Sequence, residues 1–216
     1  MRVRKPSNKG GVNKFIGKFP SFRLNLLLWF ESILERDFLY LLEFDHFDVI
    51  SFHDQPCRIH YRLNGRRYRY TPDFYVVRRQ KRQIVEVKPV EKAHDKKNRT
   101  RYEAALQICE REGYEFKVVT EVEIQRQPRL DNVKLLLKYQ RTPLHPEHQI
   151  LAHEYFDGRT ESKLAEVLSF FASKGVETQV VYALVRWGIL SVDLMAPVEA
   201  DSVVRLPGTI PEKGWL

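Results

Sequence analysis

The chain has 216 residues, 43% hydrophobic and 30% charged, and its 36 Lys and Arg against 28 Asp and Glu give a net charge of +8. That is ordinary globular composition for one medium domain plus a small one, with a basic balance that favours a polyanionic partner. Its two cysteines, Cys57 and Cys109, offer neither a disulfide framework nor zinc spacing, and its longest apolar run, 26–30, is too short to span a bilayer. With no secretion signal legible at the N-terminus, a soluble cytoplasmic protein is expected.

Residues 1–20 scatter Arg2, Arg4, Lys5, Lys9, Lys14 and Lys18 among glycines, the composition of a flexible cationic arm that either lies on phosphates or is merely solvated. Over 24–44, Leu24, Leu27, Leu28, Leu34, Phe38, Leu41 and Leu42 recur at helical spacing, with Glu31 and Glu35 in the same sector. Carboxylates on an apolar face are costly unless paired, hydrogen-bonded or bound to metal. A capping box is the plainer explanation for one of them, because Ser32-x-x-Glu35 fits that motif. Strands are expected over 49–52, 58–63 and 68–70, the last two joined at Asn64-Gly65, a strong hairpin signal.

Next come Thr71-Pro72-Asp73-Phe74-Tyr75-Val76-Val77, a basic turn over 78–83, and Ile84-Val85-Glu86-Val87-Lys88-Pro89. Alternation puts Glu86 and Lys88 on one face of their strand and Val85 and Val87 on the other. Asp73 and Glu86 stand thirteen positions apart, a gap that a hairpin bridges. Two acids able to share a divalent cation beside a fixed ammonium suit phosphodiester hydrolysis: the cation polarises the phosphate and activates water, and Lys88 stabilises the developing charge. The bland alternative is a surface hairpin whose charges face solvent. Mg²⁺ is the expected ion, with Mn²⁺ as a substitute, because the donors are carboxylate oxygens with water positions left open. The motif resembles the nuclease signature PD-(D/E)xK, as Pro72-Asp73 followed by Glu86-Val87-Lys88.

Helical periodicity returns over 92–112, with Tyr102, Ala105, Leu106 and Cys109 inward and Gly113 as the stop. The start of this helix carries Lys92, Lys96, Lys97, Arg99 and Arg101, which oppose the macrodipole. A DNA phosphate partner accounts for them; a solvated face is the alternative. A strand over 115–121 and a helix over 129–140 complete an α/β/α core with a mixed central sheet. Residues 142–146 read as a linker, and 147–156, 163–173 and 177–187 as three helices. A hairpin of 189–194 with 202–206 makes the C-terminal part a winged-helix-like domain. The expected organisation is thus an arm over 1–20, a nuclease domain over 21–141, the linker, and the small domain over 147–216.

At finer grain the order resembles the TnsA family, the endonuclease subunit of heteromeric cut-and-paste transposons. The carrying residues are Leu34-Glu35-Arg36-Asp37-Phe38, Leu42-Glu43-Phe44-Asp45, Gln55-Pro56, Tyr70-Thr71-Pro72-Asp73-Phe74 and Val85-Glu86-Val87-Lys88-Pro89. The likeness spans 24–140 and implies a restriction-endonuclease-like core. It makes Glu35, rather than Glu31, the helical acid and a third metal ligand, a choice that periodicity leaves open. It makes Asp73 and Glu86 the strand ligands, Lys88 the catalytic lysine, and Asp45 and Gln55 accessory residues; a glutamine also occurs in the family where Glu86 stands. It further implies Mg²⁺-dependent cutting of the strand at the 5′ ends of the transposon. A DDE-type transposase (TnsB-like) would handle the 3′ ends, and an AAA+ ATPase (TnsC-like) would contact the C-terminal domain, in a bacterial cytoplasm close to the nucleoid. A stand-alone restriction- or repair-type nuclease, and a non-catalytic winged-helix adaptor on DNA, are the alternatives.

Overall fold

The computed structural model describes residues 15–208, the Lys97 side chain excepted. Most of the expected arm, 1–14, lies outside the described residues. The segment just after it is ordered into a hairpin: β1 (Gly17–Ser21) pairs antiparallel with β2 (Leu26–Phe30). The 24–30 stretch is therefore a strand and not the first turns of a helix. The buried Glu43 is the reason. It accepts hydrogen bonds from the Ser21 hydroxyl at 2.6 Å and from the Phe22 and Arg23 amides at 2.9 and 3.0 Å. With Asn25 in the left-handed region (φ 51°), those bonds fix a chain reversal that helical spacing alone does not anticipate.

Helix α1 (Ile33–Phe44) starts at Ser32, whose hydroxyl accepts from the Glu35 amide at 3.1 Å. After it come β3 (Val49–Asp54), β4 (Ile59–Leu63), β5 (Arg66–Tyr70), β6 (Phe74–Arg78), β7 (Arg82–Val87), α2 (Val90–Ala93), α3 (Lys96–Arg111), β8 (Glu115–Val119) and α4 (Glu121–Ile124). The central sheet runs β3-β6-β7-β8, antiparallel except for the parallel β7–β8 pair. It is the mixed sheet that the strand order implies. Among the described residues, strands β4 and β5 pair only with each other.

Period-two alternation in β6 and β7 gives the sheet two apolar faces. On one, Phe38 of α1 meets Phe74, ring centroids 5.5 Å apart. On the other, Ile84 packs with Tyr102, Ala105 and Cys109 of α3 and with Ile59 and Tyr70 at the root of the β4–β5 ribbon. Leu106, expected inward, is exposed, at the flank of the buried stripe formed by residues 102, 105 and 109.

Two compact units divide the chain between Arg126 and Gln127, ahead of the 142–146 segment. Helix α5 (Arg129–Leu137) thus clusters with the C-terminal residues and not with the first unit. The buried Asn132 explains this. Its amide donates to the carbonyls of Leu194 (2.9 Å) and Ala196 (2.7 Å), while its own carbonyl accepts from the Val198 amide (3.2 Å). The unit continues through α6 (Pro146–Phe156), β9 (Ser162–Lys163), α7 (Leu164–Ser173), α8 (Thr178–Arg186), β10 (Ser191–Val192) and β11 (Val203–Arg205). Its sheet runs β10-β11-β9, antiparallel throughout. No helix among the described residues is long and apolar enough to cross a membrane.

Replacing Asn132 with Ala would strand the buried Leu194 carbonyl and unpair the Ala196 carbonyl and the Val198 amide, at a cost of roughly 1–3 kcal/mol. The second unit should melt earlier in calorimetry and be nicked by protease within 194–198; an unchanged melt would show that the loop does not depend on this side chain.

Candidate active site

The β6–β7 ladder ends with Phe74 paired to Val85, and Asp73 and Glu86, the next residues on the two chains, are close enough for their charges to act on each other. Cross-strand neighbours sit about 5 Å apart at Cβ, and two like charges there repel. The local structure is built to tolerate them. Asp73 Oδ2 accepts the Val87 amide at 2.9 Å, so a side chain takes over where main-chain pairing stops. Its carbonyl accepts from the Gln55 amide at 2.7 Å. Glu86, almost fully buried, accepts from the Tyr70 hydroxyl at 2.6 Å on one oxygen. On the other it meets Lys88 Nζ at 3.1 Å, with the Arg101 guanidinium and the Tyr102 hydroxyl each at 3.4 Å. Arg101 also lies over the Tyr70 and Tyr102 rings, 4.7 and 5.1 Å from their centroids.

Charge states follow from this crowding. Burial first, then the Glu86 and Glu35 carboxylates, push the Asp73 carboxyl well above its ordinary range. Burial likewise raises Glu35, although the Glu31 amide and Ser32 hydroxyl that it accepts, and the Lys88 charge, pull the other way. Lys88 is opposite in kind: burial alone would lower it, but Glu86 and Asp73 outweigh that and hold the ammonium protonated. Tyr70, buried against Glu86 and Asp73, is held well above a normal phenol and stays a donor.

Asp73, Glu86, Lys88 and Glu35 thus share one electrostatic neighbourhood. Glu35 enters it from the first turn of α1; the expected capping box is half formed, because its Oε2 accepts the Glu31 amide at 2.7 Å and its Oε1 the Ser32 hydroxyl at 3.0 Å, not the Ser32 amide. Among the described residues no three His, Cys, Asp or Glu side chains gather tightly enough to hold an ion by themselves, so an all-protein cage of three acids is not formed. The donor set still fits Mg²⁺, which is typically held by one or two carboxylates with substrate phosphate and waters. A carboxyl pushed toward its neutral form by burial first and by two neighbouring carboxylates next is the group that a divalent cation relieves.

The accessory residues fall differently. Asp45 caps the far end of α1, ten residues and about 15 Å from Glu35, where it is fully buried against Arg78 at 3.2 Å. It belongs to a structural ion pair shared with Asp48. Gln55, at φ 43°, donates from its side chain to Glu31 at 2.9 Å and brackets Asp73 from behind. The expected helix over 92–112 is broken, with Lys92 in the short α2 and α3 starting at Lys96; Lys92, Lys96 and Arg99 are exposed, and the Lys97 side chain is outside the described residues. Arg101 turns inward to Glu86, correcting its expected place on a phosphate-facing surface. Tyr70 and Tyr102, the hydroxyl partners of Glu86, escape sequence reasoning because nothing in their spacing separates them from core aromatics.

Residues 46–121 match the family model described as TnsA-like endonuclease N terminal. The match takes in Asp73, Glu86 and Lys88, and Glu35 precedes it. It supports a nuclease activity of the transposition type. No curated protein matches the chain.

Asp73→Asn removes the like-charge repulsion and keeps an oxygen for the Val87 amide. In chelator it should raise the thermal midpoint by about 2–4 °C, the equivalent of roughly 1 kcal/mol in a chain of this size. A lowered midpoint would mean that Asp73 is stabilising where it sits.

Proposed function

We propose that this chain, whose residues 46–121 form a TnsA-like endonuclease N-terminal domain, hydrolyses one DNA strand at the 5′ ends of a transposon, as a subunit of a heteromeric transposase. The single observation that carries the reading is the clustering of Asp73 and Glu86 just past the end of the β6–β7 ladder, with Lys88 bonded to Glu86.

Asp73 and Glu86 are the residues that would hold Mg²⁺. Bound there with substrate, the ion supplies Lewis-acid charge and a lowered pKa for water. The chain's own residues do the rest. Lys88 keeps a full positive charge beside the phosphate, and a fixed charge in a water-poor site is worth far more than one in solution. Tyr70 and Arg101 fix the orientation of Glu86 through its two oxygens. The Val87 amide does the same for Asp73. Hydrolysis by water leaves the 5′-phosphate on one product and the 3′-hydroxyl on the other.

The second unit supports a role in assembly. We read its helices α6, α7 and α8, with three short strands in the order β10-β11-β9, as a winged-helix-like module. In this reading that module meets the AAA+ ATPase (TnsC-like), and the nuclease unit works beside a DDE-type transposase (TnsB-like) on DNA in the bacterial cytoplasm.

In the assembled transposase with Mg²⁺ or Mn²⁺, Asp73→Ala should abolish cutting at the 5′ ends and leave 3′-end cleavage intact. Lys88→Ala should slow 5′ cutting by about 10²–10³-fold. A 5′ cut that survives Asp73→Ala refutes the assignment. Efficient cutting by the purified chain alone would move the reading to a stand-alone nuclease.

Tyr70→Phe deletes only the hydroxyl that anchors Glu86. Loss of such an outer contact costs about 10–100-fold in metal affinity or activity, read as a higher Mg²⁺ requirement at an unchanged melting temperature. Wild-type Mg²⁺ dependence in this variant would remove Tyr70 from the site.

A further inference from the structure

The β4–β5 ribbon has a charge pattern that the folded protein does not use. Between Asp54 and Asp73 there is no acidic residue. The register opposes His60 with Arg69 and Arg62 with Arg67, which puts all four on one face. Arg62, Arg66, Arg67 and Arg69 are exposed, and none of their side chains makes a hydrogen bond, ion pair or ring contact among the described residues. Cations directly across a ladder destabilise it, so folding does not account for them.

The ribbon is nevertheless rigid. On its other face Tyr61 and Tyr68 stack, centroids 5.5 Å apart and planes 19° from parallel. At its root Ile59 and Tyr70 are buried in the α3 core. Asn64 and Gly65, at φ 48° and 74°, close the two-residue turn that matches the twist of paired strands. A preformed cationic ribbon loses little entropy on binding.

We propose that this ribbon grips duplex DNA next to the cleaved phosphate, with Arg62, Arg67 and Arg69 on the sugar–phosphate backbone. The proposal rests on the nuclease reading above. A two-stranded ribbon fits the major groove of B-form DNA, whereas the deep, narrow major groove of A-form RNA does not admit it. Placement agrees with this. Tyr70 ends β5 and donates to Glu86, and Asp73 follows three residues later. Arg67 precedes Asp73 by six residues, a reach of at most about 20 Å, or roughly six base pairs. Contacts of this kind are blind to sequence, which suits a chain that takes its address from partner subunits.

The test uses the full chain, a short duplex of random sequence, and chelator so that binding is separated from cutting. Each phosphate contact contributes about 0.9 to the slope of log affinity against log salt. Arg62→Gln with Arg67→Gln should therefore flatten that slope by about 1.8, so that wild type loses about 12-fold more affinity than the variant between about 50 and 200 mM salt. The loss should be the same on unrelated sequences. Arg62→Lys with Arg67→Lys should keep the wild-type slope. If the double glutamine variant fails to fold, each single substitution is expected to flatten the slope by about 0.9. An unchanged slope overturns the proposal, as does a lysine variant as weak as the glutamine one. Failure of the nuclease reading looks different: wild type would bind with the steep slope yet never cut with Mg²⁺ and the partner subunits present.

Discussion

Two carboxylates meet face to face where the β6–β7 ladder ends, and the rest of the nuclease unit is arranged around that repulsion. Sheet register sets it up: the ladder ends with Phe74 paired to Val85, and Asp73 and Glu86 are the next residues on the two chains. Strands bearing facing acids would tend to splay, and here Lys88, Arg101, Tyr70, Tyr102 and the Val87 amide all converge to offset the charge. Helix α3 supplies Arg101 and Tyr102, and the ribbon supplies Tyr70. The core below, from Ile84 to Cys109, holds those donors at their stations. The offset is incomplete, because Asp73 remains well above its ordinary range. A site left short of positive charge is predisposed to take up more of it.

Much of this was legible in the chain. Alternation in β6 and β7, the Asn64-Gly65 turn and the Ser32 cap all express local preferences that tertiary structure did not override. Failures came where a distant residue decided a local question. Residues 24–30 carry helical spacing, but Glu43, far along the chain, pins the reversal that makes them a strand. Asp45 has the residue type of an accessory acid, yet a helix end turns it toward Arg78. Asn132 draws its helix into the second unit by bonds to a loop more than sixty positions away. No periodicity encodes such contacts.

The basic character of the chain has two structurally distinct sources. Arg78 and Arg101 are internal: one closes an ion pair with Asp45 and Asp48, the other braces Glu86. The arginines of the ribbon have no partner of their own among the described residues. Net charge treats the two kinds alike, and so does any charge run read along the sequence. Only the fold separates cations that hold the protein together from cations that face outward.

Glu35 serves two structures at once. Its carboxylate closes the first turn of α1, holding the Glu31 amide and the Ser32 hydroxyl, while its charge acts on Asp73. It cannot swing toward the sheet without letting go of both. Any motion of this acid is therefore coupled to unwinding at the head of the helix, and the hydrogen-bonded start of α1 acts as a catch on how far its side chain can travel.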